Sequence, residues 1–149
     1  YMFGDNILVA PILNDEGIAE YYLPEGKWTD IITGKVLEGG KWYKHKCSYF
    51  EIPALAKPNS IIPYGKFVRD VEYDYLDGTT FKIYELEDGK TAVCPIYNNK
   101  VFELSAKRNG NKIECSYTDT PDSFKIEIAS VGKVVDVHPT AGGKVIIEL

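Results

Sequence analysis

Aromatic side chains are the residues whose number and spacing suggest chemistry in this 149-residue chain. Two Trp, eleven Tyr and six Phe could furnish a platform for sugars, because a pyranose face packs its C–H groups on an aromatic ring. Trp28, Trp42, Tyr43, Tyr49 and Phe50 are the candidates for such a platform. The competing use of these rings is a small β-core, with their polar edges satisfied at its rim. Trp28, beside Thr29 and Ile31-Ile32, has the setting of a core residue, and core packing is the expectation for the group. Tyr73 and Tyr75 flank Asp74 and would share one side of an extended segment, where a neighbouring protein surface is a natural cover.

Metal and thiol chemistry are weakly provided for. His45-Lys46-Cys47 places two ligand types at i and i+2, but the other histidine is the distant His138, and the chain has no Cys-x-x-Cys. A tetrahedral zinc set cannot be assembled from those spacings, so neither a metal nor a cofactor is expected. Cys47, Cys94 and Cys115 are odd in number and widely spaced, which reads as free thiols in a reducing, cytoplasmic compartment.

Composition narrows the partners. Apolar residues make up 44% and charged residues 26%, as in globular proteins. The net charge of −5 is spread without a Lys/Arg run, which argues against nucleic acid and against an anionic membrane surface. No stretch approaches the roughly 20 apolar residues of a membrane-spanning helix.

The elements that must position these residues are strands. Phe102, Leu104 and Ala106 alternate with polar neighbours, as do Phe124, Ile126 and Ile128, then Val145 and Ile147. Asp77-Gly78, Asp88-Gly89, Asn98-Asn99 and Asn109-Gly110 supply residues that tolerate positive φ, as tight hairpins require. With no capped amphipathic helical window, the expectation is all-β, the distal part forming an antiparallel β-sandwich. A core of Phe81, Phe102, Leu104, Ile113, Phe124, Ile126, Ile128, Val135, Val145 and Ile147 is expected there. Composition changes near residue 66, dividing a Gly/Pro/Trp-rich proximal β-domain (14–66) from a distal one (67–149), with Phe67–Asp77 as the link and the two meeting within 64–78. Tyr1–Leu13 reads as a strand buried on both faces in a parallel sheet, although no βαβ unit follows to complete one. A carboxy-terminal piece of a larger protein is the expectation. Ile61-Ile62 points to both faces of its strand, so cover by neighbouring protein is expected on one of them.

Three segments together resemble one family. YMFGDNILVAPIL (1–13), YLPEGKWTD (22–30) with Thr33-Gly34 and GGKW (39–42), and PNSIIP (58–63) stand in the order found just after the catalytic barrel of glycoside hydrolase family 31. Thr79-Thr80-Phe81 and DGKTAVC (88–94) are similar to the bacterial α-xylosidase branch. The resemblance implies a retaining α-glycosidase whose nucleophile and acid/base carboxyls lie on a (β/α)8 barrel, about 5 Å apart. It makes residues 1–13 a remnant of that barrel's end. Neither catalytic motif matches any position here, so no catalytic, cofactor-binding or metal residue is assigned. Asp5 falls at the barrel end and is expected to hydrogen-bond local backbone rather than sugar. The implied role is bracing the barrel, with contacts to further copies, on an enzyme whose substrate is carbohydrate. The rival is a freestanding carbohydrate-binding module.

One expectation follows at once. Without a nucleophile and an acid/base pair, the chain should leave aryl α-xylosides and α-glucosides uncleaved, since acid/base assistance alone contributes about 10²–10⁴-fold. Turnover by the purified chain that co-elutes with it through successive columns would disprove this.

Overall fold

The computed structural model describes residues 1–66, 69, 73–97, 100–120, 122–138 and 143–149, and every regular element among them is a strand. The chain is all-β and divides into two compact units, Tyr1–Pro58 and Asn59–Leu149.

The first unit contains β1 (Met2–Phe3), β2 (Ile7–Val9), β3 (Ile18–Leu23), β4 (Lys27–Asp30), β5 (Val36–Glu38), β6 (Lys41–Lys46) and β7 (Ala54–Ala56). Five of these form a sheet in the order β1-β2-β7-β4-β5, and β3 pairs with β6 as a separate two-stranded ribbon. The amino-terminal run departs from the doubly buried parallel strand expected of it. Gly4, at φ 61°, turns the chain back, and β2 runs antiparallel to both β1 and β7. What interrupts the apolar run is thus a turn, and Ile7, Leu8 and Val9 end half-buried while Tyr1, Phe3 and Leu13 are exposed. Asp5 stands exposed in the turn. The entry to β2 is tied by Asn6, whose carbonyl accepts the Lys57 amide at 2.8 Å.

The second unit contains β8 (Ser60–Tyr64), β9 (Thr80–Tyr84), β10 (Thr91–Tyr97), β11 (Val101–Asn109), β12 (Lys112–Tyr117), β13 (Phe124–Ile128), β14 (Lys133–Val137) and β15 (Gly143–Glu148). They make two four-stranded sheets, β10-β11-β12-β15 and β14-β13-β9-β8. One core joins them. Phe81, Ile83, Phe124, Ile126 and Ile128 from one sheet meet Phe102, Leu104, Ala106, Ile113, Cys115 and Ile147 from the other, with Val135 and Val145 at its edge. The alternation read from the sequence therefore places the core correctly.

Three topological features differ from simple hairpin succession. β13 pairs parallel to β9, so the sandwich is not wholly antiparallel. Asp88-Gly89 carries the chain from one sheet to the other, and Asp77-Gly78 leads into β9 with the Gly78 amide on the Ser123 carbonyl. Asn109-Gly110 does open a hairpin between β11 and β12, with Gly110 at φ 60°. Asn98-Asn99 lies outside the described residues, as do positions 67, 68 and 70–72 of the link.

The compact units part at Pro58–Asn59, ahead of the composition change at residue 66. β8 pairs with β9, so PNSIIP initiates the second unit's sheet. Asn59 takes φ 59°, which asparagine tolerates better than most residues, and its side chain bonds Glu87 twice, at 2.8 and 3.2 Å. Ile61 and Ile62 are both buried in the folded chain, so neither face of that strand is left bare.

The Phe124 ring lies within 5.5 Å of the Phe81, Phe102 and Tyr117 rings, measured between centroids. Truncation of a core phenylalanine costs about 3–5 kcal/mol. Phe124→Ala should therefore open the second unit first, and limited proteolysis should remove residues beyond 58 while the first unit persists. Simultaneous digestion of both halves would show one cooperative domain instead.

Candidate functional site

The aromatic candidates are divided by the ribbon. In the β3–β6 register Tyr21 faces Tyr43, Tyr22 faces Trp42 and Glu20 faces Lys44. Side chains alternate across a strand, so these pairs fall on opposite faces. On the inner face Tyr21 and Tyr43 stack at 5.8 Å, both beside a core of Leu23, Trp28 and Leu55. The Tyr43 hydroxyl donates to the Glu38 carbonyl at 2.8 Å. Trp28 is only 3% exposed, and its Nε1–H donates to the Pro24 carbonyl at 2.9 Å. Core packing is thus the use made of Trp28.

The same expectation fails for three other rings. Trp42 is 68% exposed, Tyr49 96% and Phe50 92%. The physical reason is local. A sandwich strand has one covered face, whereas these rings belong to a two-stranded ribbon and a turn. Trp42 sits on the ribbon's uncovered face, where its ring meets Tyr22 edge-on at 5.7 Å. Tyr49 and Phe50 lie in the turn after β6, in edge contact with each other at 5.3 Å. No local pattern announces the part Tyr22 plays, because its partner lies twenty residues on.

Tyr73 and Tyr75 also contact each other, at 4.7 Å, but on a turn rather than an extended segment. The Asp74 carboxylate accepts the amides of Leu76 at 2.9 Å and Asp77 at 3.3 Å, which closes that turn.

Beneath the first unit's surface a cleft of about 210 Å³ is lined by Tyr21, Asp30, His45, Cys47, Glu51 and Ile52, among others. Its acidic groups are engaged with backbone. Asp30 Oδ1 accepts the amides of Ile32 and Thr33, each at 2.9 Å, and Glu51 Oε2 accepts that of Ser48 at 2.7 Å. The Ser48 amide bond holds the Glu51 carboxyl below the usual carboxylate range. Burial, then Asp30, pushes the Tyr21 phenol up. His45 and Cys47 do share this cleft, yet among the described residues no three His, Cys, Asp or Glu side chains converge as a metal set would.

All three thiols are free and buried. Burial raises Cys94 to about 11 and Cys115 to about 12, from the 9.0 of an ordinary thiol. The unfolded chain loses these protons first, so the native state binds more protons between pH 9 and about 12, and stability falls as pH rises through that window. Denaturant midpoints should decline across it, and Cys94→Ala/Cys115→Ala should flatten the decline. At pH 8 a thiol reagent should label both only as fast as the second unit opens; rapid labelling of the native protein would contradict their burial.

Residues 1–62 match the family model described as the glycosyl hydrolase family 31 C-terminal domain. Residues 74–149 match the one described as alpha-xylosidase YicI, C-terminal domain. The alpha-xylosidase XylQ of Lactiplantibacillus pentosus is 37% identical over 118 residues, covering 76% of this chain and 16% of that protein. An alpha-xylosidase of Emericella nidulans is 40% identical over 88 residues, covering 52% of this chain and 11% of its own length. Among solved structures, the cycloalternan-forming enzyme from Listeria monocytogenes, in complex with a pentasaccharide substrate, superposes with a TM-score of 0.83. It is 22% identical, and the match covers 99% of this chain and 18% of that one, a likeness of fold. The chain spans less than a fifth of the length of each of these proteins.

Proposed function

The chain belongs to glycoside hydrolase family 31, and from that premise we propose that it serves as the non-catalytic carboxy-terminal β-region of a retaining α-glycosidase of the α-xylosidase type. The observation that carries this is the pair of matches in series, each to a carboxy-terminal domain, over 1–62 and 74–149. Its work is to brace a catalytic barrel that holds both reacting carboxyls and takes the carbohydrate substrate, and to provide contacts between copies of the enzyme.

The first unit supports a bracing role energetically. Its main core holds three buried side chains, Leu23, Trp28 and Leu55, while Tyr1, Phe3, Leu13, Tyr49 and Phe50 stand exposed. A unit of this size gains little from its own interior, and cover from a barrel would supply the missing apolar burial. The division into a proximal domain at 14–66 and a distal one at 67–149, with 1–13 leading out of the barrel, belongs to the same proposal. So does a bacterial cytoplasmic setting, which suits three unpaired buried thiols.

Excision tests the brace. Removal of these 149 residues from the full-length enzyme should cost the barrel its solubility or lower its melting temperature markedly, with kcat/KM lost in proportion to folded protein. A truncated enzyme that keeps both its melting temperature and its kcat/KM would show that the region braces nothing. Sedimentation of the full-length enzyme and of a Tyr49→Ser/Phe50→Ser variant tests the contacts between copies, which should weaken in the variant.

A further inference from the structure

We propose that the outer face of the β3–β6 ribbon is a carbohydrate-binding platform: Trp42 provides the stacking surface, Tyr22 its side wall, and Glu20 and Lys44 bond the hydroxyls. The ligand is a neutral gluco- or xylopyranosyl oligosaccharide, a class that rests on the reading of the chain as part of an α-glycosidase.

Four observations build it. Trp42 is the exposed tryptophan of the two, and large exposed aromatics on a soluble fold mark binding surfaces more often than chance placement does. Its ring is positioned rather than loose, because Tyr22 meets it edge-on at 5.7 Å across a ribbon paired over six positions. Few rotatable bonds then remain to be ordered when a ligand binds. Glu20 and Lys44 occupy the next same-face register position, about 7 Å along the strands, near the width of a pyranose ring. They stand 3.9 Å apart with both side chains largely exposed, so little holds them to each other.

That last pair favours a sugar over a protein partner. A hydroxyl both donates and accepts, and a carboxylate beside an ammonium offers it one of each. Because the two charges offset each other, this pair does not itself select for a charged ligand. The aromatic pair gives way to charges one register step along, which keeps the apolar area small for protein docking and sufficient for one or two sugar rings. Tyr49 and Phe50 are more exposed still, but they stand on a turn and have no paired strand to fix them.

The two tryptophans make the test internally controlled. In ¹H–¹⁵N spectra of the intact chain, isomaltotriose, maltotriose and isoprimeverose are titrated separately. At least one should shift the Trp42 indole signal saturably while the buried Trp28 signal stays in place. Trp42→Ala and Tyr22→Ala should each weaken binding about tenfold by calorimetry, and Trp42→Phe should retain part of the affinity. Thermal unfolding of each variant, lowered only by the small contribution of one cross-strand ring pair, confirms that the fold persists. The proposal is overturned if no sugar moves the Trp42 signal, or if Trp42→Ala binds as well as the parent. It is equally overturned if Trp42 shifts with protein concentration alone, which would mark a self-association surface. Excision of the region from the enzyme reads the brace and the Trp42 indole reads the platform, so either can fail without the other.

Discussion

Three phenylalanine rings stand between the two sheets of the second unit, and the rest of that unit is arranged around them. Phe81 on β9, Phe102 on β11 and Phe124 on β13 lie 5.4–5.5 Å from one another, with Phe81–Phe124 and Phe102–Phe124 in edge contact. Rings of that size set the spacing of facing sheets near 10 Å, where aliphatic side chains from both sheets can interdigitate. The parallel pairing of β13 with β9 follows from the same need. It aligns Ile126 with Phe81 and Ile128 with Ile83, which delivers two core residues from each strand in register. Burial of Cys94 and Cys115, and hence their suppressed ionisation, is a consequence of lying in that same interior.

The first unit lives under the opposite constraint. Its interior is a few residues deep, and the indole of Trp28 serves both as filling and as a hydrogen-bond anchor to Pro24. With so little to bury, aromatic residues in its turns and on one ribbon face remain outside. Exposed rings in a fold of this size carry a meaning that the same rings would lack in the sandwich. Where the second unit uses aromatics to hold itself together, the first presents them.

The sequence was most legible where periodicity and burial coincide. Phe102, Leu104 and Ala106, or Phe124, Ile126 and Ile128, alternate so regularly that both strand and core face could be read directly, and all six are buried. Pairing partners were less legible, because a period of two says which face a residue takes and nothing about its neighbours. Hence neither the parallel β9–β13 pair nor the Tyr22–Trp42 contact can be read from the pattern. The run from Tyr1 misled for a related reason: continuous apolar sequence implies burial on both faces only if nothing turns the chain, and Gly4 turns it. As for the rings, a propensity argument correctly sent Trp28 inward. It erred on Trp42, whose fate depends on whether a second layer covers the ribbon.

Two carboxylates with shifted proton affinity show how acidic residues are used in this chain. A general acid in glycoside hydrolysis needs its proton held near neutral pH, which takes burial or a neighbouring negative charge to raise its affinity. The environments around Glu51 and Glu114 act in the other direction. Glu51 accepts the Ser48 amide, and Glu114 faces the Lys144 ammonium at 2.8 Å, so both release their protons more readily than a free carboxyl. Asp30 and Asp74 spend an oxygen each on the amides of their own turns, which fixes backbone rather than polarising a leaving group. These four carboxylates serve as turn and ladder hardware. An exposed aromatic face beside a compensated ion pair, by contrast, needs no shifted proton to act on a sugar, since holding one requires only surface and hydroxyl partners.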